Sequence, residues 1–155
     1  MSNDVLKRMC DRQEITDMLH QYCVGMDKLD MDKLAGCFTD DGLLSIGPEP
    51  RLESRGASVI REAMKRMGRF SRSSHHLSNI QISFDGPEAA DVNSYILAWH
   101  ETLDGKTGTM MGQYVDRFVR TTAGWRISVR RLEMSGNDSG FETNVHRADR
   151  NKITT

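Results

Sequence analysis

In the first part of the chain, apolar residues recur every three or four positions, which is the pattern of an amphipathic helix. Between residues 4 and 27 this stripe is formed by Val5, Leu6, Met9, Ile15, Met18, Leu19, Tyr22, Cys23 and Met26. Asp27 comes eight residues after Leu19, so it falls on the shoulder of the stripe rather than on the solvent face. A carboxylate there is costly to bury without a partner. Spacing alone favours a frayed helix end at Asp27.

Two shorter helices are predicted next. The first has Asp30 or Asp32 as its N-cap, and its inward side consists of Leu34, Ala35 and Phe38. The second is capped by Ser58, and its apolar stripe consists of Ile60, Met64 and Met67. Its Arg and Lys residues are expected to face water. A turn, a short strand and a loop are expected between the two helices, at residues 39–42, 43–46 and 47–55.

Beyond Phe70 the apolar period changes from 3.6 to 2, which is typical of strands. A central strand ends at the turn signal Asp85-Gly86, and the later strands are predicted at residues 90–103, 110–120 and 125–134. Their short connections favour an antiparallel meander. Helices followed by such strands predict an α+β domain at residues 1–134, with N-terminal helices packed on a curved, mostly antiparallel sheet that forms a cone-shaped barrel. The polar tail, residues 135–155, is either disordered or covers a neighbouring subunit.

Two adjacent histidines at the start of the central strand are the main candidates for chemistry. Side chains alternate between the faces of a strand, so one histidine should enter the interior and the other should meet the opposite surface. Strict alternation places His75 with Leu77, Asn79 and Gln81, and His76 with Ser78, Ile80, Ile82 and Phe84. Histidine has the side-chain pKa nearest neutrality, so one in a cavity is a natural proton carrier. Taken alone, a histidine at the start of a strand is more often a structural residue than a catalytic one.

Composition excludes several classes of function. The 155 residues carry 21 Lys and Arg against 22 Asp and Glu, for a net charge of -1, so no nucleic-acid surface is indicated. No apolar run is long enough for a membrane span, and the N-terminus lacks a signal peptide. The cysteines have no CxxC spacing, which favours reduced thiols in a cytoplasmic protein: Cys10, Cys23 and Cys37.

Five segments in this order resemble the SnoaL-like branch of the nuclear transport factor 2-like superfamily: residues 12–15, 22–27, 34–41, 74–79 and 124–127. The resemblance covers roughly residues 10 to 134. It implies the cone-shaped α+β fold described above. The closer likeness is to scytalone dehydratase, bile-acid 7α-dehydratase and γ-hexachlorocyclohexane dehydrochlorinase, which use an Asp–His pair for elimination without a cofactor.

The resemblance also implies site residues. The family's catalytic aspartate at the end of the first helix matches Asp27, and its histidine, four residues before an Asn, matches His75 with Asn79. The bile-acid enzyme instead aligns more naturally on His76, and its tyrosine five residues before the aspartate matches Tyr22. A second tyrosine of some of these dehydratases would fall near residues 45 or 46, where this chain has none. That departure leaves the leaving-group chemistry open.

Together these residues predict a cofactor-independent lyase of the dehydratase type. His75 would remove a proton, Asp27 would fix the tautomer of His75, Tyr22 would donate to a substrate oxygen, and Asn79 would orient the substrate. The substrate is expected to be small, largely apolar and cyclic, because the candidate lining residues are soft and aromatic and charged lining is scarce. Its expected contacts are His76, Asn79, His100, Trp99, Phe38 and Met26, with Met18 and Met64 as further lining.

Other functions stay open at this point. An isomerase or a polyketide cyclase could use the same pair of residues, because removing a proton next to a carbonyl is the shared first step. A non-catalytic ligand-binding module is the third possibility. A serine hydrolase is disfavoured by the lack of a GxSxG motif, and a metal site by the opposite faces of His75 and His76. Apolar residues on the outer strand faces, Tyr95, Trp99 and Met111, predict a homodimer or homotrimer.

Overall fold

The computed structural model describes residues 3–138 and 144–148. The helices of this part of the chain are α1 (Asn3–Lys28), α2 (Met31–Ala35) and α3 (Ala57–Met64). The strands are β1 (Phe38–Ser45), β2 (Glu53–Arg55), β3 (Phe70–Asp85), β4 (Ala89–Thr102), β5 (Thr107–Thr121), β6 (Gly124–Asn137) and β7 (His146–Arg147). Short 3-10 turns occupy Pro50–Leu52 and Lys65–Arg69. No helix in these two ranges is both long and apolar enough to cross a membrane.

The strands form one sheet in the order β2-β1-β6-β5-β4-β3, and β7 also pairs with β6. Strands β3 to β6 make the predicted antiparallel meander, and α1 packs across β3 and β6. The parallel pairing of β1 with β6 is not evident from the strand pattern. The predicted α+β class, with N-terminal helices on an open, curved and mostly antiparallel sheet, is confirmed.

Three local predictions before β3 were wrong. The segment 39–42 is not a turn but part of β1, where the register against β6 shifts between Phe38 and Leu43. Phe38 is buried as expected, yet it begins this strand instead of lying on α2. Helix α3 is preceded by Gly56, whose φ of 94° suits a glycine, so Ser58 is not the cap. The cap of α2 is Asp30, whose carboxylate accepts a hydrogen bond from the Lys33 N–H at 3.0 Å.

A β-bulge in β3 changes which side chains share a face with His75. Ser78 pairs with Tyr95 and Gln81 pairs with Asn93, so two residues of β3 oppose a single residue of β4. Asn79 takes up the extra residue with a φ of 50°, a conformation that Asn tolerates better than most side chains. Strict alternation is therefore wrong beyond Ser78. His75 shares its inward face with Leu77 and, past the bulge, with residues that were assigned to the His76 face: Ile80, Ile82 and Phe84.

Helix α1 ends in a defined backbone motif rather than by fraying. The Asp30 N–H donates to the Gly25 carbonyl at 2.9 Å, and the Leu29 N–H donates to the Met26 carbonyl at 3.2 Å. These are the two hydrogen bonds of a Schellman motif, and Leu29 holds its left-handed position with a φ of 52°. Gly25 lets α2 approach closely, because a Cβ there would lie 3.0 Å from Leu34. Asp27 lies within this motif, between the two acceptor carbonyls and the two N–H donors, so its position is well determined.

The first half of α1 is tied to the sheet by a buried carboxylate. Asp11 accepts hydrogen bonds from the Arg120 guanidinium at 2.5 Å and from the Trp125 indole N–H at 3.2 Å. Burial alone would raise the pKa of Asp11, but these two donors outweigh that effect and lower it. The helix is thus fixed against the sheet at Asp11 and at Asp27, and the apolar core fills the space between these two points.

Part of the C-terminal tail returns to the domain's own sheet. Strand β6 continues to Asn137, and β7 pairs in parallel with Glu133 and Met134 of β6. The His146 Nε2 lies 2.9 Å from the Ser45 hydroxyl, and the His146 N–H donates to the Ile46 carbonyl. This segment covers the same subunit, whereas the rest of the tail, residues 139–143 and 149–155, lies outside the described residues.

Candidate active site

The helices and the concave face of the sheet enclose a cavity of about 1020 Å³. This volume lies at the upper end of the range for small-molecule sites, roughly 300–1,000 Å³. Much of its wall is soft and apolar, formed by Met26, Leu44, Ile46, Met64, Met67, Phe70, Met110 and Leu132. Its polar lining includes His75, His100, Tyr22 and Tyr114.

Asp27 and His75 are in direct contact at the wall of this cavity. The Asp27 Oδ1 lies 2.6 Å from the His75 Nδ1, and the Asp27 Oδ2 accepts a hydrogen bond from the His75 backbone N–H at 2.9 Å. The Ser73 hydroxyl donates a third hydrogen bond to Oδ1 at 2.8 Å. The His75 side chain is only 4% exposed. The partner that a carboxylate on the shoulder of α1 requires is therefore the strand histidine.

These contacts keep Asp27 ionised and set the tautomer of His75. Burial would raise the pKa of Asp27, but the hydrogen bonds from His75 and Ser73 together lower it to about 2. An ionised carboxylate on Nδ1 keeps the proton of the neutral ring on that nitrogen. Within the described residues His75 Nε2 has no hydrogen-bond partner, so it is the nitrogen available to a molecule in the cavity.

His100 borders His75 and is held neutral. Its ring lies edge-to-face with the His75 ring at a centroid distance of 5.2 Å, and it packs on the Phe70 ring at 4.3 Å. Burial, with a smaller contribution from a charge on His75, lowers the pKa of His100 to about 4. At neutral pH this residue contributes a polar, uncharged wall beside the Asp27–His75 pair.

Tyr22 lines the cavity from α1 and rests on a buried ion pair. Arg130 and Asp116 form two hydrogen bonds of 2.9 and 2.7 Å, and both side chains are 0% exposed. The Arg130 guanidinium lies over the Tyr22 ring at 4.2 Å and over the Tyr114 ring at 4.1 Å. Burial raises the pKa of Tyr22 to about 12, although the charge of Arg130 opposes this. Tyr22 is therefore a protonated hydrogen-bond donor at neutral pH.

Residues 7–131 match the family model of the SnoaL-like domain. This chain belongs to the SnoaL-like family. Its fold and its structural relatives place it in the SnoaL-like branch of the nuclear transport factor 2-like superfamily.

Individual SnoaL-like relatives agree with this assignment. An uncharacterized protein of Mycobacterium tuberculosis is 29% identical over 127 residues, which are 79% of this chain and 84% of that protein. A solved structure from Novosphingobium aromaticivorans, which carries the provisional name scytalone dehydratase, is 25% identical with a TM-score of 0.88, and the alignment covers 96% of this chain and 99% of that one. Hexachlorocyclohexane dehydrochlorinase LinA-type3 from Novosphingobium barchaimii shares the fold at 17% identity, with a TM-score of 0.78 and coverage of 94% and 99%.

The structure brings only some of the expected SnoaL-like site residues to the cavity. His75, Tyr22, His100 and Met26 line it, as does Met64, and Asp27 reaches it through His75. The other expected contacts are not among the described lining residues: His76, Asn79, Trp99, Phe38 and Met18.

Four of these five residues lie away from the cavity for a local reason. His76 and Trp99 face outward, because His75 and its cross-strand neighbour Ala98 face inward. Asn79 is exposed in the bulge. Phe38 packs edge-on beneath Tyr22 with its ring 5.9 Å away, so it supports the wall without reaching the cavity.

Sequence reasoning missed the cationic part of the lining. Arg51, Arg66, Arg69 and Arg147 border the cavity, so the expectation of scarce charged lining was wrong. Arg66 and Arg69 lie on the 3-10 turn between α3 and β3, where Arg66 is half-buried and Arg69 is exposed. No pattern in the sequence indicates this, because it depends on where the chain leaves α3. The sequence does contain a signal for Ser73 as a site residue, since it lies two residues before His75 and therefore on the same strand face.

A metal centre has no ligand set in the described ranges, 3–138 and 144–148, because no three His, Cys, Asp or Glu side chains there are close enough to hold one ion. The cysteines of these ranges are free thiols. Burial raises the pKa of Cys23 to about 12 and that of Cys37 to about 11, which makes both poor nucleophiles at neutral pH.

Proposed function

We propose that this SnoaL-like protein is a cofactor-independent lyase that removes water from a small, largely apolar cyclic substrate. The observation that supports it most is the contact between Asp27 and His75 at the cavity wall. The carboxylate holds the proton on Nδ1, which leaves Nε2 as a base, and it stabilises the imidazolium that forms when Nε2 takes a proton. A single base in an apolar cavity suits a proton transfer at carbon.

The proposed reaction begins at a carbon next to a carbonyl. His75 Nε2 takes the proton from this carbon, and the electron pair of the broken C–H bond becomes the new C=C bond. The C–O bond to the neighbouring hydroxyl breaks, and the leaving oxygen takes a proton back from the imidazolium, so that water departs and His75 is neutral again. Tyr22 donates a hydrogen bond to the carbonyl oxygen, where negative charge develops.

The solved relatives support lyase-type chemistry in general. One bears the provisional name of a dehydratase, and others are hexachlorocyclohexane dehydrochlorinases, which eliminate a different leaving group. The dehydrochlorinases are less than 25% identical to this chain, so their similarity supports a shared fold and gives no information about the substrate.

An isomerase or polyketide cyclase is the second candidate, and one observation favours it. Near the position where some dehydratases of this family have a second tyrosine, this chain has Ser45, whose hydroxyl bonds to His146 of the tail. Assistance to a leaving group is then weaker, whereas removal of a proton by His75 is unaffected. A non-catalytic binding module would need the cavity but not the Asp27–His75 contact.

One experiment separates these functions. Wild-type protein in deuterated buffer is incubated with 3-hydroxy-1-tetralone or with its carboxylate derivative, and NMR follows deuterium uptake beside the carbonyl and formation of the naphthol. Naphthol formation that is lost in His75→Gln supports the lyase. Deuterium exchange without naphthol, also lost in His75→Gln, favours the isomerase or cyclase. Catalysis by this pair is overturned if neither probe gives either signal, or if His75→Gln gives the same signals as the wild type. His76→Gln is the matched control.

We also propose that the protein acts in the cytoplasm as a homodimer or homotrimer. The free thiols suit a reducing compartment. The outward side chains of β4 support self-association, because Tyr95 and Leu97 are 46% and 45% exposed on this strand.

A further inference from the structure

The charged residues that line the cavity are all positive in the described part of the chain. Four arginines border the cavity, and no Asp or Glu is among its lining residues in the described part of the chain. Arg51 is paired with Glu49 at 2.5 Å outside the cavity. Arg66, Arg69 and Arg147 have no carboxylate partner within residues 3–138 and 144–148. Three arginines of the lining thus lack a described carboxylate partner; Arg69 and Arg147 are exposed, and Arg66 is half-buried.

Arg66 is the most informative of the three, because it is half-buried. Within the described residues, the hydrogen-bond contact of its Nη2 is the sulfur of Met64, at 3.5 Å. Burial, and further the nearby charge of Arg69, lower the pKa of Arg66. Burying a cation without an anion is costly, and a fold tolerates it where a ligand supplies the missing charge.

The described arginines outside the cavity lining have a carboxylate or carbonyl partner or are exposed to solvent. Carboxylates within 4 Å pair with Arg61, Arg72, Arg117, Arg120, Arg130 and Arg131. Backbone carbonyls accept hydrogen bonds from Arg8, Arg12 and Arg126. Arg55 is exposed on β2. Arg126 is half-buried too and contacts the Met18 sulfur at 3.9 Å, but it also donates to a carbonyl. Among the described residues, Arg66 is thus the half-buried arginine with a sulfur contact and neither a carboxylate nor a carbonyl partner.

We infer that the natural substrate is an organic acid, whose apolar ring system reaches the Asp27–His75 pair while Arg66 and Arg69 hold its anionic oxygen group, with Arg147 of the tail beside them. This inference rests on the proposed function, since it takes the cavity to be where the substrate binds. Guanidinium groups bind carboxylate and phosphate oxygens through paired N–H donors, so the shared chemistry is an anionic group with two or more oxygens. The large cavity leaves room for such a group beside a bicyclic ring.

A pair of fluorescent dyes tests the charge preference without any reaction. 1-Anilinonaphthalene-8-sulfonate and N-phenyl-1-naphthylamine share one ring system, and only the first carries an anionic group. We expect wild-type protein to bind the sulfonate at least about tenfold more tightly, because charge-assisted hydrogen bonds in a partly buried site are strong. Arg66→Gln and Arg69→Gln should each reduce that preference at least about threefold, with the neutral dye unchanged. Arg55→Gln removes the same charge from an exposed site and should change neither dye.

Displacement of the sulfonate dye identifies the anionic group. 1-Naphthoate or 1-naphthyl phosphate should displace it at lower concentration than 1-naphthamide, and the better of the two acids shows whether a carboxylate or a phosphate is preferred. Equal affinity for the two dyes, or a preference that survives in both Arg66→Gln and Arg69→Gln with native circular dichroism, overturns the inference. Asp27→Asn should leave the dye preference intact, so a failed deuterium exchange and a failed charge preference are separate results.

Discussion

The carboxylate of Asp27 holds both the side chain and the backbone of His75. One oxygen lies 2.6 Å from the ring Nδ1, and the other accepts the backbone N–H at 2.9 Å. The first contact sets the orientation and tautomer of the ring, while the second fixes the strand segment that carries it. The last turn of α1 and the beginning of β3 are thus joined at the point where chemistry is proposed.

Replacing the two neighbouring histidines should have opposite effects. Loss of a general base typically costs about 10²–10⁴ in rate, so His75→Ala should lower kcat on an identified substrate by at least two orders of magnitude. Asp27→Ala should cost a similar factor and the double variant little more, since residues that act as a unit are not additive. His76→Ala should keep near wild-type kcat, because its side chain is exposed on the other face. Steady-state kinetics of these four variants and the wild type test this. An active His75→Ala variant would contradict catalysis by the Asp27–His75 pair.

Asp27 should stabilise the fold at neutral pH and lose this effect in acid. Its pKa falls from an ordinary value near 4 to about 2 in the folded protein, so the unfolded chain binds more protons between these values. The contribution is complete above about pH 4 and disappears as the pH falls through 2. Asp27→Asn should reduce the free energy of unfolding by about 1.5–3 kcal/mol at pH 7. Urea unfolding of both proteins should show this difference shrinking from pH 4 to pH 2; a constant difference would contradict the assignment.

Breaking the buried Arg130–Asp116 pair should be severely destabilising. Burial alone would lower the pKa of Arg130, but the Asp116 carboxylate reverses this and raises it, so Arg130 remains charged. Arg130→Met leaves that carboxylate buried without its partner and should cost about 3–5 kcal/mol in urea unfolding. Adding Asp116→Leu should recover much of the loss. Arg117→Met, which removes an exposed pair with Asp85 and Asp91, should cost less than about 1 kcal/mol.

The outer face of the sheet should mediate self-association. Leu97 and Met111 are cross-strand neighbours on this face, and both are more than 40% exposed. Leu97→Lys places a charge at its centre and should shift sedimentation at micromolar concentration toward the monomer. Val59→Lys, at an equally exposed position on α3, is the control and should leave the distribution unchanged. A wild-type protein that sediments only as a monomer would contradict this prediction.

The long elements could be predicted because their apolar periods are regular over many residues. Helix α1 and the meander of β3 to β6 follow directly from the change in period near Phe70. The Asp27–His75 pairing is harder to predict. Spacing alone favours a frayed helix end, and the contact depends on a Schellman motif with a leucine in the position where glycine is usual. Family resemblance supplied that pairing; the residue pattern did not.

The bulge shows how one residue can mislead a face assignment. Leu77 and Ile80 are three positions apart, an odd spacing that places them on opposite faces of a regular strand. The structure places both inward because Asn79 is inserted between them. The odd spacing, together with an Asn, is a signal that could have been used. The cationic lining has no such signal, since it arises only when the turn after α3 and the tail meet at the cavity.

The proposed catalytic pair and part of the cavity wall lie in different segments of the chain. Asp27 and His75 lie inside the segment that matches the SnoaL-like family model, residues 7–131, whereas Asn137, Asn144, Val145 and Arg147 border the same cavity from beyond that segment. Gly47 fits under the tail, and a Cβ there would lie 2.1 Å from the Asn144 carbonyl oxygen. The C-terminal segment is therefore a place where the range of molecules admitted could change without a change in the Asp27–His75 pair.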